Sequence, residues 1–268
     1  MNKKLSNLLS FLHAIAPDHL QEDYDNAGLI TGHRDMEISG VLVCLDAIEE
    51  VIDEAISLNC NVVIAHHPIV FRGLKRFNGS NYVERTVIKA IKHDIAIFAI
   101  HTNLDNVYQN GVNAMISNKI GLINTEILSP LADIKHNDMP VGAGMLGYLP
   151  APMKTDQFLH HLKTQMDLRV VKHTAICKDE IHKVAVCGGS GSFLLKQAKI
   201  SNADIFVTSD FKYHEYFDAD RTIIIADIGH FESEKYTIDL LYDLIMNNFS
   251  TFATHYTKIV TNPIKYFY

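Results

Sequence analysis

Imidazoles and carboxylates gather in three short stretches of this sequence. They are Ala65-His66-His67-Pro68, His101-Thr102-Asn103-Leu104-Asp105 and Asp227-Ile228-Gly229-His230-Phe231-Glu232-Ser233-Glu234. Each follows a run of apolar, strand-like residues. Parallel strands deliver their ends to one edge of a sheet, and ligands of open α/β sheets bind at that edge. Stretches far apart in sequence can therefore meet. Nitrogen and oxygen donors of these types suit zinc, iron, manganese and similar ions. The chemistry expected is that of a metal site. Five residues of ligand type, His66, His67, Asp105, His230 and Glu234, are enough for a dinuclear one.

The stretches differ in what they say alone. Neighbours on a regular strand point to opposite faces. At a strand end, where Pro68 stops regular pairing, His66 and His67 can both splay toward neighbouring ions. Taken by itself, such a pair is more often two capped or surface histidines. His230 and Glu234 stand at i and i+4, one turn apart at a helix start, so both can face one ion. A carboxylate there can bridge two metals. His101 either donates to a ligand carboxylate or substrate, or is an ordinary strand-end histidine at the rim. Asp227 either orients His230 or caps the following turn. Gly188-Gly189-Ser190-Gly191-Ser192 either aims backbone amides at a phosphate or is a tight turn that needs small residues. It lacks the Lys-Ser/Thr ending of a Walker motif. The Asp-, Asn- and Gly-rich segment from Tyr24 to Gly32 is either a rim of the site or a plain loop.

The elements that must position these residues follow from periodicity. Leu5, Leu8, Leu9, Leu12 and Ile15 share a helical face. Gly40 to Leu45, Val62 to Ala65 and Ile95 to Ile100 read as strands. Ala47 to Leu58, Glu84 to Lys92 and Val112 to Ile120 read as helices, the last stopped by Gly121. Strand and helix in alternation predict a parallel sheet with right-handed crossovers. Leu128 to Met139 reads as a polar connection. Beyond it come strands at Met145 to Leu149, Leu168 to His173, Lys183 to Cys187, Asp204 to Thr208 and Thr222 to Ala226. Helices are expected over Asp156 to Met166 and Phe193 to Lys199, with one long helix over Glu232 to Asn247 and a late strand over Tyr256 to Val260. The expected fold is α/β: two α/β domains with mainly parallel sheets and the metal site in the cleft between them. Residues 1–127 plus 227–268 form the first domain, carrying most ligands, and 128–226 the second.

Bulk properties exclude some functions. The chain has 268 residues, 47% apolar and 21% charged, ample for a packed core. A net charge of −7 gives no basic footprint for nucleic acid. No apolar run reaches membrane-spanning length. Met1 to Leu5 opens an amphipathic helix rather than a signal peptide. Cys44, Cys60, Cys177 and Cys187 form no C-x-x-C pair. A reducing cytoplasm is the expected compartment.

Several of these segments, taken together, resemble a known family. They are Tyr24-Asp25-Asn26-Ala27-Gly28-Leu29, His66-His67-Pro68, His101-Thr102-Asn103-Leu104-Asp105, Gly188-Gly189-Ser190-Gly191, Thr208-Ser209-Asp210, and Asp227-Ile228-Gly229-His230 with Glu234. They look like the motifs of the GTP cyclohydrolase 1 type 2 homologues, also described as YbgI-like dinuclear metal proteins. The resemblance runs from about Tyr24 to Thr261-Asn262-Pro263. It implies two divalent ions per chain (zinc, iron or manganese), held by His66, His67, Asp105, His230 and Glu234. It implies a ring-shaped homohexamer, and a nucleotide substrate whose imidazole ring is opened by water at C8. His101, Asp105 and Glu234 are then the catalytic residues expected. The family usually has Thr-Gly-Asp where this chain has Thr208-Ser209-Asp210. A serine raises the cost of a positive φ there, which bears on any role of Asp210 and His214. Two functions remain open: a metal-dependent hydrolase, and a non-catalytic protein that stores, senses or delivers metal or serves interaction.

Overall fold

Blocks of β-branched and leucine residues such as Val41-Leu42-Val43 and Val62-Val63-Ile64 are buried on both faces, as strands covered by helices on either side must be. The computed structural model describes residues 3–267; Met1, Asn2 and Tyr268 lie outside them. The chain divides into two compact units, Met1–Leu104 with Thr237–Tyr268, and Asp105–Tyr236.

In the first unit, helix α1 (Leu5–Ile15) buries Leu5, Leu8, Leu9 and Leu12, the face read from the sequence. Full burial of each such side chain stabilises by about 1.5–3 kcal/mol. Strands β1 (Gly28–Thr31), β2 (Gly40–Asp46), β3 (Val62–His67), β4 (Ala96–Ala99) and β11 (Ala253–Tyr256) form a sheet ordered β1-β4-β3-β2-β11. β4, β3, β2 and β11 run parallel, and β1 joins antiparallel. The connections are helices α2 (Glu49–Ser57) and α3 (Tyr82–Lys92), as the alternation predicts. The unit closes with α9 (Thr237–Asn248) leading into β11. The parallel arrangement brings the C-terminal ends of β2, β3 and β4 to one edge. Asp46, His66-His67 and, just past β4, His101 all sit there. β1 falls in the segment read as rim or loop. Its turn residues hide a short strand that pairs with β4 through Gly28, Leu29 and Thr31, with an irregularity at Ile30. β11 lies earlier than the strand expected at Tyr256 to Val260, because its register with Gly40 to Val43 is set from Ala253.

The second unit differs more from expectation. Its sheet is ordered β5-β6-β8-β9-β10-β7, with β5 Ile123–His136, β6 Met139–Lys154, β7 Lys172–His173, β8 Glu180–Ser190, β9 Ile205–Ser209 and β10 Ile224–Asp227. Only β8, β9 and β10 are parallel; the other pairings are antiparallel, so this sheet is mixed. The expected polar connection at Leu128 to Met139 is instead a long hairpin. Its turn is Asn137-Asp138, both at positive φ (51° and 62°). That is the pairing that lets a two-residue turn follow the strand twist. The outer residues of β5 are mostly exposed, so no buried alternation advertised them. Helices α6 (Thr155–Gln165) and α7 (Leu195–Ile200) flank the sheet.

The boundaries between units fall at 104/105 and 236/237 rather than at 127/128 and 226/227. Helix α5 (Val112–Ile120) packs on β8: Val112 and Ile116 lie against Gly188. It therefore belongs to the second unit. The single helix expected over Glu232 to Asn247 is two, α8 (His230–Glu234) and α9, and the boundary passes between them. The ligand-type residues are accordingly divided. His66, His67 and His101 lie in the first unit, and Asp105, His230 and Glu234 in the second.

Candidate metal centre

Three imidazoles converge at the edge of the first sheet. Ligand nitrogens of His66, His67 and His101 lie within 4.8 Å of one another, a group that could hold a metal ion. Each ring is held by the nitrogen that faces away. His66, wholly buried, donates from Nδ1 to the carbonyl of Ile100 at 2.8 Å. His67 Nδ1 meets Asp46 Oδ1 at 2.8 Å, and His101 Nδ1 meets Asp25 Oδ1 at 2.7 Å. An acceptor on Nδ1 fixes the tautomer and leaves Nε2 as the nitrogen with a lone pair to give.

The holders are themselves held. Asp46 pairs with His67 in register across β2 and β3, and its other oxygen accepts from Thr261 Oγ1. Asp25 accepts at its second oxygen from both the amide and the hydroxyl of Thr102. Burial pushes the Asp25 carboxyl up, but the bonds from His101 and Thr102 outweigh it and lower it to about 2. The backbone after β4 is shaped by Asn103. Its Oδ1 takes the His101 amide and its Nδ2 donates to Ala16 O, so His101 is aimed by its own neighbours. Asp46 was not singled out from the sequence, and Asp25 and Thr261 lay in motif segments without a role of their own. The signal for Asp46 was its place at the end of β2, in register with His67.

In the second unit the i, i+4 geometry of α8 holds. His230 Nε2 lies 3.0 Å from Glu234 Oε2. Carboxylate oxygens of Asp105 and Glu234 are within 4.8 Å of each other, and Glu234 is buried. Glu234 thus stands between a carboxylate and an imidazole. Two anionic groups this close and this covered repel unless a cation sits with them. Here His230 is that cation. Burial pulls its pKa down, yet the hydrogen bonds to Asp210 and Glu234 push it up to about 11.

Asp210 holds His230 Nδ1 at 2.6 Å, the same construction as in the other unit. Asp227 does not do so. Its oxygens take the Gly229 amide at 3.2 Å, and Lys172 Nζ and Tyr216 OH at 2.7 Å each. Of the two roles open to it, capping the turn is the one it has. The doubt raised by Ser209 also resolves. The positive φ falls on Asp210, at 61°, and aspartate tolerates that conformation. Ser209 stays in β9 and donates to Gly189 O at 2.6 Å. His214 is exposed and packs with Tyr213 and Phe217, apart from these contacts.

The glycine-rich turn serves this carboxylate rather than a phosphate. The Gly188 amide donates to Asn113 Oδ1 and the Gly189 amide to Ser233 Oγ, so both are already engaged. At Gly189, φ is +62° and a Cβ would stand 2.4 Å from Glu234 Oε1. At Gly191 a Cβ would stand 2.2 Å from Thr208 Oγ1. The glycines let the backbone lie against Glu234 and Thr208.

The fold and these donors define a class: a two-unit α/β protein with histidines clustered and tethered as metal ligands are. The chain belongs to the Duf34/NIF3 (NGG1p interacting factor 3) family, whose model matches residues 3–263. It is 31% identical over 237 residues to a protein of Clostridium acetobutylicum called GTP cyclohydrolase 1 type 2 homolog. That match covers 87% of this chain and 86% of the relative. A protein of Campylobacter jejuni with the same description is 33% identical over 234 residues, covering 87% and 88%. Among solved structures, a Bacillus cereus protein related to NIF3 superposes with a TM-score of 0.89 at 26% identity, over 98% of this chain and 99% of that one. None of the helices described is long and apolar enough to cross a membrane, and all four cysteines are free thiols.

Proposed function

We propose that this protein is a dinuclear-metal-dependent hydrolase, with two divalent ions per chain (zinc, iron or manganese) held by His66, His67, Asp105, His230 and Glu234. The observation that supports it most is the common construction of the histidines. His66, His67 and His101 each have Nδ1 on an acceptor, which leaves Nε2 for coordination, and His230 has Nδ1 on Asp210 with Nε2 turned to Glu234 through a proton that a metal ion would displace. Such ions, when bound, lower the pKa of a water and offset charge that develops on the substrate. Asp105 and Glu234 supply the anionic charge that two dications require. Glu234 is the bridging candidate, since it lies beside both Asp105 and His230. His101, Asp105 and Glu234 are the groups proposed to meet the reacting atoms, with His101 steered by Asp25.

The relatives' description points to a purine nucleotide whose imidazole ring is opened by water, or a related cyclic amide. A homohexameric ring and a cytoplasmic location belong to the same reading and rest on the resemblance. One observation favours a second reading, a metal store or sensor without turnover. The imidazoles and carboxylates of the two clusters are each a donor or a donor's holder, so no dedicated proton donor stands out among them. The test is elemental analysis of zinc-, manganese- or iron-loaded protein, then turnover of GTP, other nucleotides, phosphodiesters and cyclic amides, with light scattering for assembly. Close to two ions per chain and metal-dependent turnover are expected. Tight metal binding with no turnover would replace the hydrolase by the store. No bound metal would overturn both.

A further inference from the structure

Beside the three histidines of the first unit the surface carries two aromatic rings that are largely exposed. Tyr24 is 64% exposed and Phe71 47% exposed. They stack on each other, centroids 6.3 Å apart and planes at 26°. Phe71 also meets His101 edge to face at 5.8 Å. Their two loops are tied together by Asn26 Nδ2 donating to Val70 O at 2.6 Å. Adjacent exposed aromatics beside a cluster of ligand-type residues form a contiguous apolar patch, the kind of surface that marks a binding groove.

The loop that carries Phe71 has a second property. Between His67 and Asn81 the charged residues are Arg72, Lys75 and Arg76, with no acid among them, in a chain of net charge −7. All three are exposed. Among the described residues none of them is in an ion pair. Guanidinium and ammonium groups so placed suit phosphate, which arginine can take in bidentate fashion. A planar ring has a face for Phe71, and stacking on aromatic side chains accepts any base.

We propose that Phe71, backed by Tyr24, forms the stacking face, and Arg72, Lys75 and Arg76 the phosphate-binding arm, of a subsite for a planar heteroaromatic ring bearing phosphate. This rests on the hydrolase reading and narrows its substrate class. A ring stacked on Phe71 lies next to His101, and therefore next to the imidazole group. Phosphates extending along the loop would neutralise its cations. An unphosphorylated cyclic amide would use only half of the surface.

The experiment is calorimetric titration of zinc-loaded full-length protein with GTP, guanosine and inorganic triphosphate, repeated after chelation to remove phosphate contacts with metal. Phe71→Ala should weaken GTP about tenfold or more, the size of one lost base stack, Tyr24→Ala should weaken it less by removing the support behind Phe71, and both should leave triphosphate binding unchanged. Tyr24→Phe should restore affinity. Changing Arg72, Lys75 and Arg76 together to Ala should weaken GTP and triphosphate alike, flatten the salt dependence, and spare guanosine. Wild-type affinity in the aromatic variants would overturn the subsite. So would a loss of affinity that comes with a changed particle mass in light scattering, because the rings would then be an assembly contact. Binding through these residues without turnover would remove the hydrolase reading and keep the subsite. Turnover of GTP with KM unmoved by the variants would do the reverse.

Discussion

Asp210 decides what His230 can offer. The two side chains are 2.6 Å apart, and the bond from His230 holds the Asp210 carboxyl below its ordinary 3.8 against the cost of burial. Ser190 Oγ donates to the same carboxylate oxygen and fixes its orientation. Asp210→Asn keeps the shape and removes the charge. The imidazole then keeps an acceptor in the amide oxygen but loses the charge that strengthens the bond. Zinc affinity, measured by competition with a chromophoric chelator, should fall about 10- to 100-fold. Glu234→Gln should cost more, since it removes charge from the donor set itself. Equal affinities in wild type and Asp210→Asn would show that Asp210 is a surface contact. From the sequence alone Asp227 was as good a candidate for this role. The other role left open for it, capping the turn, is the one it has, because Asp227 is consumed by Gly229, Lys172 and Tyr216. Asp210 comes from another strand, and reach across a sheet is invisible in a linear sequence.

Turns and caps carry the site on from there. Gly189 is required twice, by its φ of +62° and by the nearness of Glu234 Oε1. Gly189→Ala should destabilise by roughly 1–3 kcal/mol from the backbone conformation and displace the Glu234 carboxylate as well. Loss of bound zinc larger than the fall in Tm would separate these effects. A variant with unchanged zinc content would mean that the turn is not shaped around Glu234. On the first unit, Asn81 caps α3 and Glu84 reaches back in return. Glu84 accepts from the amides of Asn78 and Ser80, the Ser80 hydroxyl and the Asn81 side chain. Asn81→Ala should cost about 1 kcal/mol. The bonds from the Ser80 and Asn78 amides hold the Glu84 carboxyl below its ordinary 4.5, so its contribution is present above that pH. It is lost as pH falls through the folded-state value. Wild type should therefore lose more Tm on acidification than Glu84→Gln; parallel curves would refute the role. Boundaries of such elements were the harder part to read. α1, α2 and the parallel strands announce themselves by periodicity. The β5–β6 hairpin does not, because its outer residues are exposed, and the break between α8 and α9 lies within a continuous apolar pattern.

For the molecule as a whole, the sequence carried the α/β class and the family motifs, and it named the six residues that fall in the two clusters, five as ligand types and His101 with its role open. It did not carry the division of those residues three and three between units, which depends on which sheet a helix packs against. That division has a thermodynamic consequence. Asp105 and Glu234, with oxygens within 4.8 Å, repel by roughly 3 kcal/mol at an effective dielectric of about 20. His230 offsets part of this through Glu234. A dication held there would offset it more fully, and the proposed site exists only in the folded chain. Metal at about 1,000 times its Kd then stabilises by about 4 kcal/mol. For a chain of this length each kcal/mol moves Tm by about 2–4 °C. Chelation should therefore lower Tm on the order of 10 °C, and added zinc should restore it. In Glu234→Gln the repulsion is already gone. The metal-free variant should melt at or above metal-free wild type, and zinc should raise it much less. Scanning calorimetry of the four samples checks this. If zinc shifts both proteins equally, Glu234 is not part of the metal set. If it shifts neither, the carboxylates are balanced by His230 alone.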